Sequence, residues 1–359
     1  MKTIALLGEC MIELNGQPFG DMHQTYGGDS LNTATYLARV APPDAVRVYY
    51  LTALGDDPLS RGMQARWQAD GIDTRYVLTD PARQPGLYLI QLDAAGERTF
   101  LYWRNQSAAR YLLQHPDWPQ LDAALAHFDA IYLSGISLAI LPPADRERLT
   151  DRLTACAAQG VQILFDGNYR PALWQNRSET RAAYARLLPH VHLALMTDDD
   201  ERALWDDADI EASIARLQTA GVKNIVIKRG AEGALYAAGD ERIAVAGERV
   251  ARATTMGAAT AGGGWVGAWG GATCKAPSRR HAAAQATTSP PPSSSTKARL
   301  SRRNTAAWKG RVGLAPPHHP KTLNPSGHSS PQPNLRSIHE YRNPHPPPAS
   351  AENRPGHRP

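Results

Sequence analysis

The chain has 359 residues and a formal charge of +5, but the charge is unevenly spread: residues 261–359 hold fourteen basic side chains against two acidic ones, which leaves residues 1–260 net acidic. An acidic body of that length can bury a core that offsets its chain entropy. The tail holds sixteen of the 28 prolines, seven of the 12 histidines and no aspartate, a composition that builds no packed core. Cys10, Cys156 and Cys274 are scattered and form no C-x-x-C pair, so neither a disulfide framework nor a zinc site is expected. No basic leader precedes the first apolar run and no run approaches membrane-spanning length, which predicts a soluble protein of the reducing cytoplasm.

In chain order, short apolar runs at 4–7, 46–53, 130–134, 162–166, 193–196 and 224–228 read as strands. Amphipathic stretches at 145–159, 178–188 and 209–220 read as the helices between them. That alternation predicts an α/β fold with a mostly parallel sheet and helices on both faces. Residues 86–91 and 98–104 alternate around Asp93-Ala94-Ala95-Gly96, which is hairpin chemistry. With residues 17–28, these strands predict a small β lid beside the main sheet. From Gly262 onward the pattern stops.

Six clusters carry candidate chemistry. Gly27-Gly28-Asp29-Ser30-Leu31-Asn32 precedes a helix; paired glycines let backbone approach a polyol, and Asp29 and Asn32 offer hydrogen bonds to hydroxyls, although the same residues also suit a helix-capping loop. Gly55-Asp56-Asp57, with Gly62 after it, ends a strand, where open parallel sheets gather ligands or simply turn. Tyr88, Tyr102 and Arg104 lie on the facing lid strands, the latter two sharing a face. Two phenols beside a guanidinium suit a ligand with hydroxyls at one end and a carboxylate, held bidentately by Arg, at the other. Asp166-Gly167-Asn168-Tyr169-Arg170-Pro171 follows a buried strand and is dense in polar groups for mere surface. Thr197-Asp198-Asp199-Asp200-Glu201 opens a helix, where acidic residues favour the dipole without further cause. Lys228-Arg229-Gly230-Ala231-Glu232-Gly233 ends a strand with glycines able to cradle phosphates.

Taken in order, these residues resemble the ribokinase (PfkB) family of sugar kinases, and within it the 2-keto-3-deoxygluconate kinases. The resemblance rests on Gly8-Glu9-Cys10-Met11-Ile12-Glu13-Leu14, the Gly27-Gly28-Asp29 loop, Pro85-Gly86-Leu87-Tyr88, residues 96–105, residues 133–141, residues 166–171 and Lys228-Arg229-Gly230, and it runs from residue 3 to about 252. It implies a ribokinase-like three-layer α/β/α domain over residues 1–252 and transfer of the ATP γ-phosphoryl group, with Mg²⁺, to the terminal hydroxyl of a keto-deoxy sugar acid. By residue it implies Gly27, Gly28, Asp29, Asn32, Tyr88, Tyr102, Arg104 and Arg170 for the sugar acid. It implies Asn168, Asp198, Lys228, Gly230 and Gly233 for the nucleotide, and Glu201 for metal-bound water.

One departure is expected to matter. The family's C-terminal signature supplies an aspartate that takes the proton from the attacking hydroxyl. Here the corresponding stretch is Ala253-Thr254-Thr255-Met256-Gly257-Ala258-Ala259-Thr260-Ala261, with Ala259 at the place of the base. Ala258-Ala259-Thr260-Ala261 can be encoded so that the frame one base earlier spells Gly-Gly-Asp-Ser. Residues 253–359 therefore read as an out-of-frame tail, and the chain as a kinase lacking its catalytic aspartate. The alternatives are a fructokinase or ribokinase of the same fold, which Arg104 argues against, and a non-catalytic sugar-acid or nucleotide binder. A nucleic-acid arm is not expected, because the basic residues of the tail are diluted by Pro, Ser and Gly. Exposed lid edges predict a homo-oligomer.

Overall fold

In a computed structural model, residues 1–92 and 98–247 are described. The chain enters through β1 (Lys2–Leu7), β2 (Met11–Gly16), β3 (Met22–Gly27) and α1 (Asp29–Val40), then β4 (Val46–Gly55), α2 (Pro58–Ala69), β5 (Ile72–Asp73) and β6 (Val77–Asp80). Next come β7 (Leu87–Leu92), β8 (Arg98–Trp103), α3 (Trp118–Leu125), β9 (Ala130–Ser134), α4 (Gly135–Ala139) and α5 (Pro143–Ala158). The remainder is β10 (Gln162–Asp166), α6 (Arg177–Leu187), β11 (Val191–Thr197), α7 (Asp198–Trp205), α8 (Ile210–Thr219), β12 (Asn224–Lys228), β13 (Ala234–Ala238) and β14 (Glu241–Val245).

The main sheet has the order β14-β13-β12-β11-β10-β9-β1-β4-β5, with β6 also on β4. It is parallel from β12 to β5, and β13 and β14 extend it antiparallel. Parallel strands covered on both faces read as continuous apolar runs, and β1 shows why: Ala5 and Leu7 enter one core while Ile4 and Leu6 enter the other. Helices α3 to α8 build the first core, through residues such as Leu121, Leu138, Leu153, Tyr184, Leu204 and Ile214. Among the described residues, α1 and α2 are the helices that contribute to the second, through Leu31, Ala34, Leu37, Met63 and Trp67. The three-layer α/β/α expectation is met. Among the described residues no helix is long and apolar enough to cross a membrane.

The lid differs from its expected extent. It is a four-stranded sheet in the order β3-β2-β7-β8, and residues 17–21 connect two of its strands. The missed strand is β2, because Met11, Ile12 and Glu13 are consecutively buried and the alternation of a half-exposed strand is absent. The β13–β14 hairpin was also unforeseen, although Gly239 between its strands takes φ +55 as a tight turn requires. The hairpin tip at Asp93-Ala94-Ala95-Gly96 and everything from residue 248, Ala259 included, lie outside the described residues.

Candidate active site

The carboxyl ends of the parallel strands and the open face of the lid meet at the loop from β3 into α1. Gly27 ends β3 and Gly28 precedes the first turn of α1. Both are glycine because of close approach: a Cβ on Gly28 would lie 2.3 Å from the Glu9 carbonyl oxygen, and one on Gly27 would lie 2.5 Å from the Tyr88 hydroxyl. Asp29 accepts from the Ser30 amide at 2.8 Å through one oxygen and from the Asn168 side-chain amide at 2.8 Å through the other. Asn32 is half-buried on the same helix turn, its backbone N–H bonded to the Gly28 carbonyl at 2.8 Å.

Above this loop stand the lid side chains. Tyr88 on β7 and Tyr102 on β8 are directly paired across the antiparallel ladder, with ring centroids 6.0 Å apart. Tyr88 is buried and its hydroxyl donates to a carboxylate oxygen of Glu13; Tyr102 is 53% exposed. Arg104, just past β8, lies with its guanidinium carbon 6.0 Å from the Tyr102 ring and forms an ion pair with Glu9. The guanidinium is therefore not the free bidentate fork expected from sequence, since one of its amino groups already belongs to a buried carboxylate. Glu9 Oε1 and Arg104 Nε are buried without a hydrogen-bond partner among the described residues. Beside them a cavity of about 490 Å³ is lined by Arg83, Gln84, Tyr102, Trp103, Arg104 and Asn105.

The floor of the crevice is the end of β10, β11 and β12. Lys228 donates to both carboxylate oxygens of Asp166, at 2.9 and 3.0 Å, and Tyr132 reaches the same carboxylate at 3.5 Å. Burial pushes the Asp166 carboxyl up, against the pull of Lys228. Lys228 is thus buried and paired with Asp166. Arg170 lies 3.7 Å from Asp200, whose carboxyl burial also pushes up. Glu201 is buried and paired with Arg216, which also binds Asp207 at 2.8 Å; burial pushes Glu201 up to about 7 against the pull of Arg216. Asp198 pairs at 3.0 Å with Arg202 one turn along α7. Gly230 and Gly233 bound a turn after β12 in which the Arg229 amide bonds the Gly233 carbonyl at 2.8 Å. Gly233 has φ +99 and its Cβ position lies 2.0 Å from the Val245 carbonyl, so no other residue fits.

The sequence model of the pfkB family carbohydrate kinases matches residues 1–258. The chain belongs to this family. Among curated proteins, this carbohydrate kinase is 56% identical over 236 residues to a 2-dehydro-3-deoxygluconokinase of Haemophilus influenzae, covering 66% of this chain and 75% of that one. It is 50% identical over 234 residues to the 2-dehydro-3-deoxygluconokinase of Dickeya dadantii, covering 65% and 75%. Its fold is that of a fructokinase from Vibrio cholerae solved with fructose, ADP and calcium ion, with TM-score 0.68 at 21% identity over 83% of this chain and 94% of that one.

Within the kinase fold the expected sugar-side residues Gly27, Gly28, Asp29, Tyr88, Tyr102 and Arg104 come together, whereas Arg170 stands with Asp200 at the strand ends. Asn168, assigned to the nucleotide side, instead bonds Asp29 of the sugar loop and holds φ +35 to do so. Gly55 and Asp57 resolve into a turn and a cap: Asp57 accepts from the Leu59 and Ser60 amides at 2.8 and 2.9 Å and starts α2. Sequence reasoning did not single out Glu9, Glu13 and Asp166 as individual site residues. Their signal was a carboxylate set in an otherwise apolar strand or strand end, a placement that requires a partner.

Proposed function

We propose that this carbohydrate kinase phosphorylates 2-keto-3-deoxygluconate at its terminal hydroxyl, with ATP as phosphoryl donor and Mg²⁺ as companion ion. The observation that carries the reading is the convergence of the Gly27-Gly28 loop, the Tyr88–Tyr102 pair and Arg104 around two buried glutamates. It is supported by the identity to the keto-deoxygluconate kinases named above. In this reading the loop amides and Asp29, held by Asn168, receive the sugar hydroxyls, while the remaining donors of Arg104 draw the carboxylate. The lid phenols exclude water over the sugar.

The glycine turn at 230–233 leaves backbone exposed at Gly230, where nothing lies within 4 Å of a Cβ position, and suits a nucleotide phosphate chain. ATP bound there supplies the phosphoryl group. The described residues do not themselves form a magnesium site: no three metal-binding side chains cluster among them, and Asp166, Asp200 and Glu201 each face a cation of the protein. Residues 1–252 constitute the kinase domain in this proposal, incomplete at its C-terminus, with residues 253–359 as its out-of-frame tail. Ala259 accepts no proton, so turnover is impaired while sugar-acid binding persists. Pairing of two copies along the lid edges belongs to the same proposal.

Calorimetry with 2-keto-3-deoxygluconate and a phosphate-transfer assay test it together. The chain is expected to bind the sugar acid, and a version read one base earlier from codon 258 is expected to phosphorylate it. Equal or better binding of fructose overturns the substrate. An uninterrupted frame confirmed through codon 359 refutes the frame shift.

A further inference from the structure

The two glutamates beneath the lid have no assigned task, and one of them constrains what the pocket can accept. Glu13 lies on β2, in register with Tyr88 on the adjacent parallel strand β7, and is 5% exposed. The Tyr88 hydroxyl donates to Glu13 Oε2. A phenol has one proton and two lone pairs, and an ionised carboxylate can only accept. While Glu13 is ionised the proton of Tyr88 is committed to it, and what the oxygen has left to offer is lone pairs only. The same oxygen packs against the Gly27 backbone: a Cβ on Gly27 would sit 2.5 Å from it and 3.4 Å from Glu13 Oε2.

We propose that Glu13 is a positioning residue that fixes Tyr88 as a hydrogen-bond acceptor, so that the ligand group seated at Tyr88 must be a hydroxyl and not a carboxylate or carbonyl oxygen. The inference deepens the sugar-acid reading and rests on it for the nature of the ligand. Burial, and then the bond to Glu13, push the Tyr88 phenol far above its ordinary range, so it keeps its proton at any working pH. The negative charge of Glu13 repels an anionic group from the same spot. The carboxylate end of the ligand is thereby directed to the guanidinium side, where Arg104 stands 6.0 Å from the Tyr102 ring. The orientation of the sugar acid is set in part by Glu13, acting through Tyr88.

The test is a double-mutant cycle on the full chain, read by calorimetric titration with 2-keto-3-deoxygluconate and separately with ATP. Glu13→Gln presents an amide N–H that frees the phenol proton. It is expected to weaken sugar-acid binding by about 10- to 100-fold, the range for misdirecting one charge-assisted hydrogen bond, with ATP affinity unchanged. In a Tyr88→Phe background the same change is expected to alter affinity by less than about twofold, because the two residues act through one bond. Equal weakening in both backgrounds, or parallel loss of ATP affinity, overturns the proposal in favour of a plain strand staple. If the unmodified chain binds no sugar acid, the substrate reading fails. The pairing is then read from the Tyr88 ¹³Cζ resonance, which shifts in Glu13→Gln if Glu13 takes the phenol proton, and whose constancy overturns the proposal.

Discussion

The Lys228 ammonium lies 2.9 and 3.0 Å from the two carboxylate oxygens of Asp166, and so joins the ends of β10 and β12 across β11. Both side chains are buried, at 9% and 3% exposure, so removing one strands the other as an unpaired charge. Lys228→Met is expected to cost about 3–5 kcal/mol. Adding Asp166→Asn should recover much of that loss, because an amide carries no charge to desolvate. Urea unfolding midpoints of the natural chain and the two variants decide it; an unchanged midpoint for Lys228→Met means the pair contributes nothing.

Gly28→Ala places a methyl 2.3 Å from the Glu9 carbonyl, which is backbone and cannot swing aside. The loop must move instead, at a cost of about 1–3 kcal/mol. Displacing the loop also separates Asp29 from Asn168, so sugar-acid binding should weaken in the same variant. Unfolding and calorimetry on one preparation test both effects.

Tyr102 is half out of the lid, and its packing is the ring contact with Tyr88 across the ladder and with Phe100 along its strand. Tyr102→Ala is expected to lower stability by no more than about 1 kcal/mol. In the proposed sugar-acid site, loss of its phenol should nevertheless weaken sugar-acid binding by about 3- to 10-fold. A large drop in unfolding midpoint would instead make Tyr102 a packing residue of the lid.

Glu201 carries the pH dependence. Its folded value of about 7 stands above its ordinary 4.5 because burial disfavours the charged form. The folded state therefore holds this proton more tightly than the unfolded chain. The resulting stabilisation is fully present below about 4.5 and is lost as pH rises through about 7. The natural chain and Glu201→Gln should have similar unfolding midpoints below about pH 4.5, and the natural chain should fall progressively below the variant as pH rises to about 7, with a constant gap above that. A natural chain that instead gains on the variant as pH rises would mean that Arg216 wins and holds Glu201 ionised.

The central strands were legible because a strand buried on both faces must be apolar along its length, and 130–134, 162–166 and 224–228 coincide with β9, β10 and β12. The lid was legible only where it alternates. β2 escaped because a glutamate among buried apolar residues reads as a break in a strand until its partner is known. That partner is 75 residues away for Glu13, 95 for Glu9 and 62 for Asp166. The glycines and lid aromatics announced themselves by residue type. The carboxylates that orient them are defined by pairings across the fold, which no local pattern contains. The bonds of Asn168 to Asp29 and of Lys228 to Asp166 are of the same kind and were equally beyond local pattern.

The strand that begins the chain lies between β4 and β9 in the main sheet, and its two neighbours start at Val46 and Ala130. During synthesis, β1 leaves the ribosome before both of its neighbours and keeps one bare edge until more than a hundred further residues have followed. Such distant closure makes assembly slow and leaves an apolar ribbon open to other nascent chains in the interval. Yield in the cell should accordingly respond to chaperone supply more than to any single contact in the finished sheet.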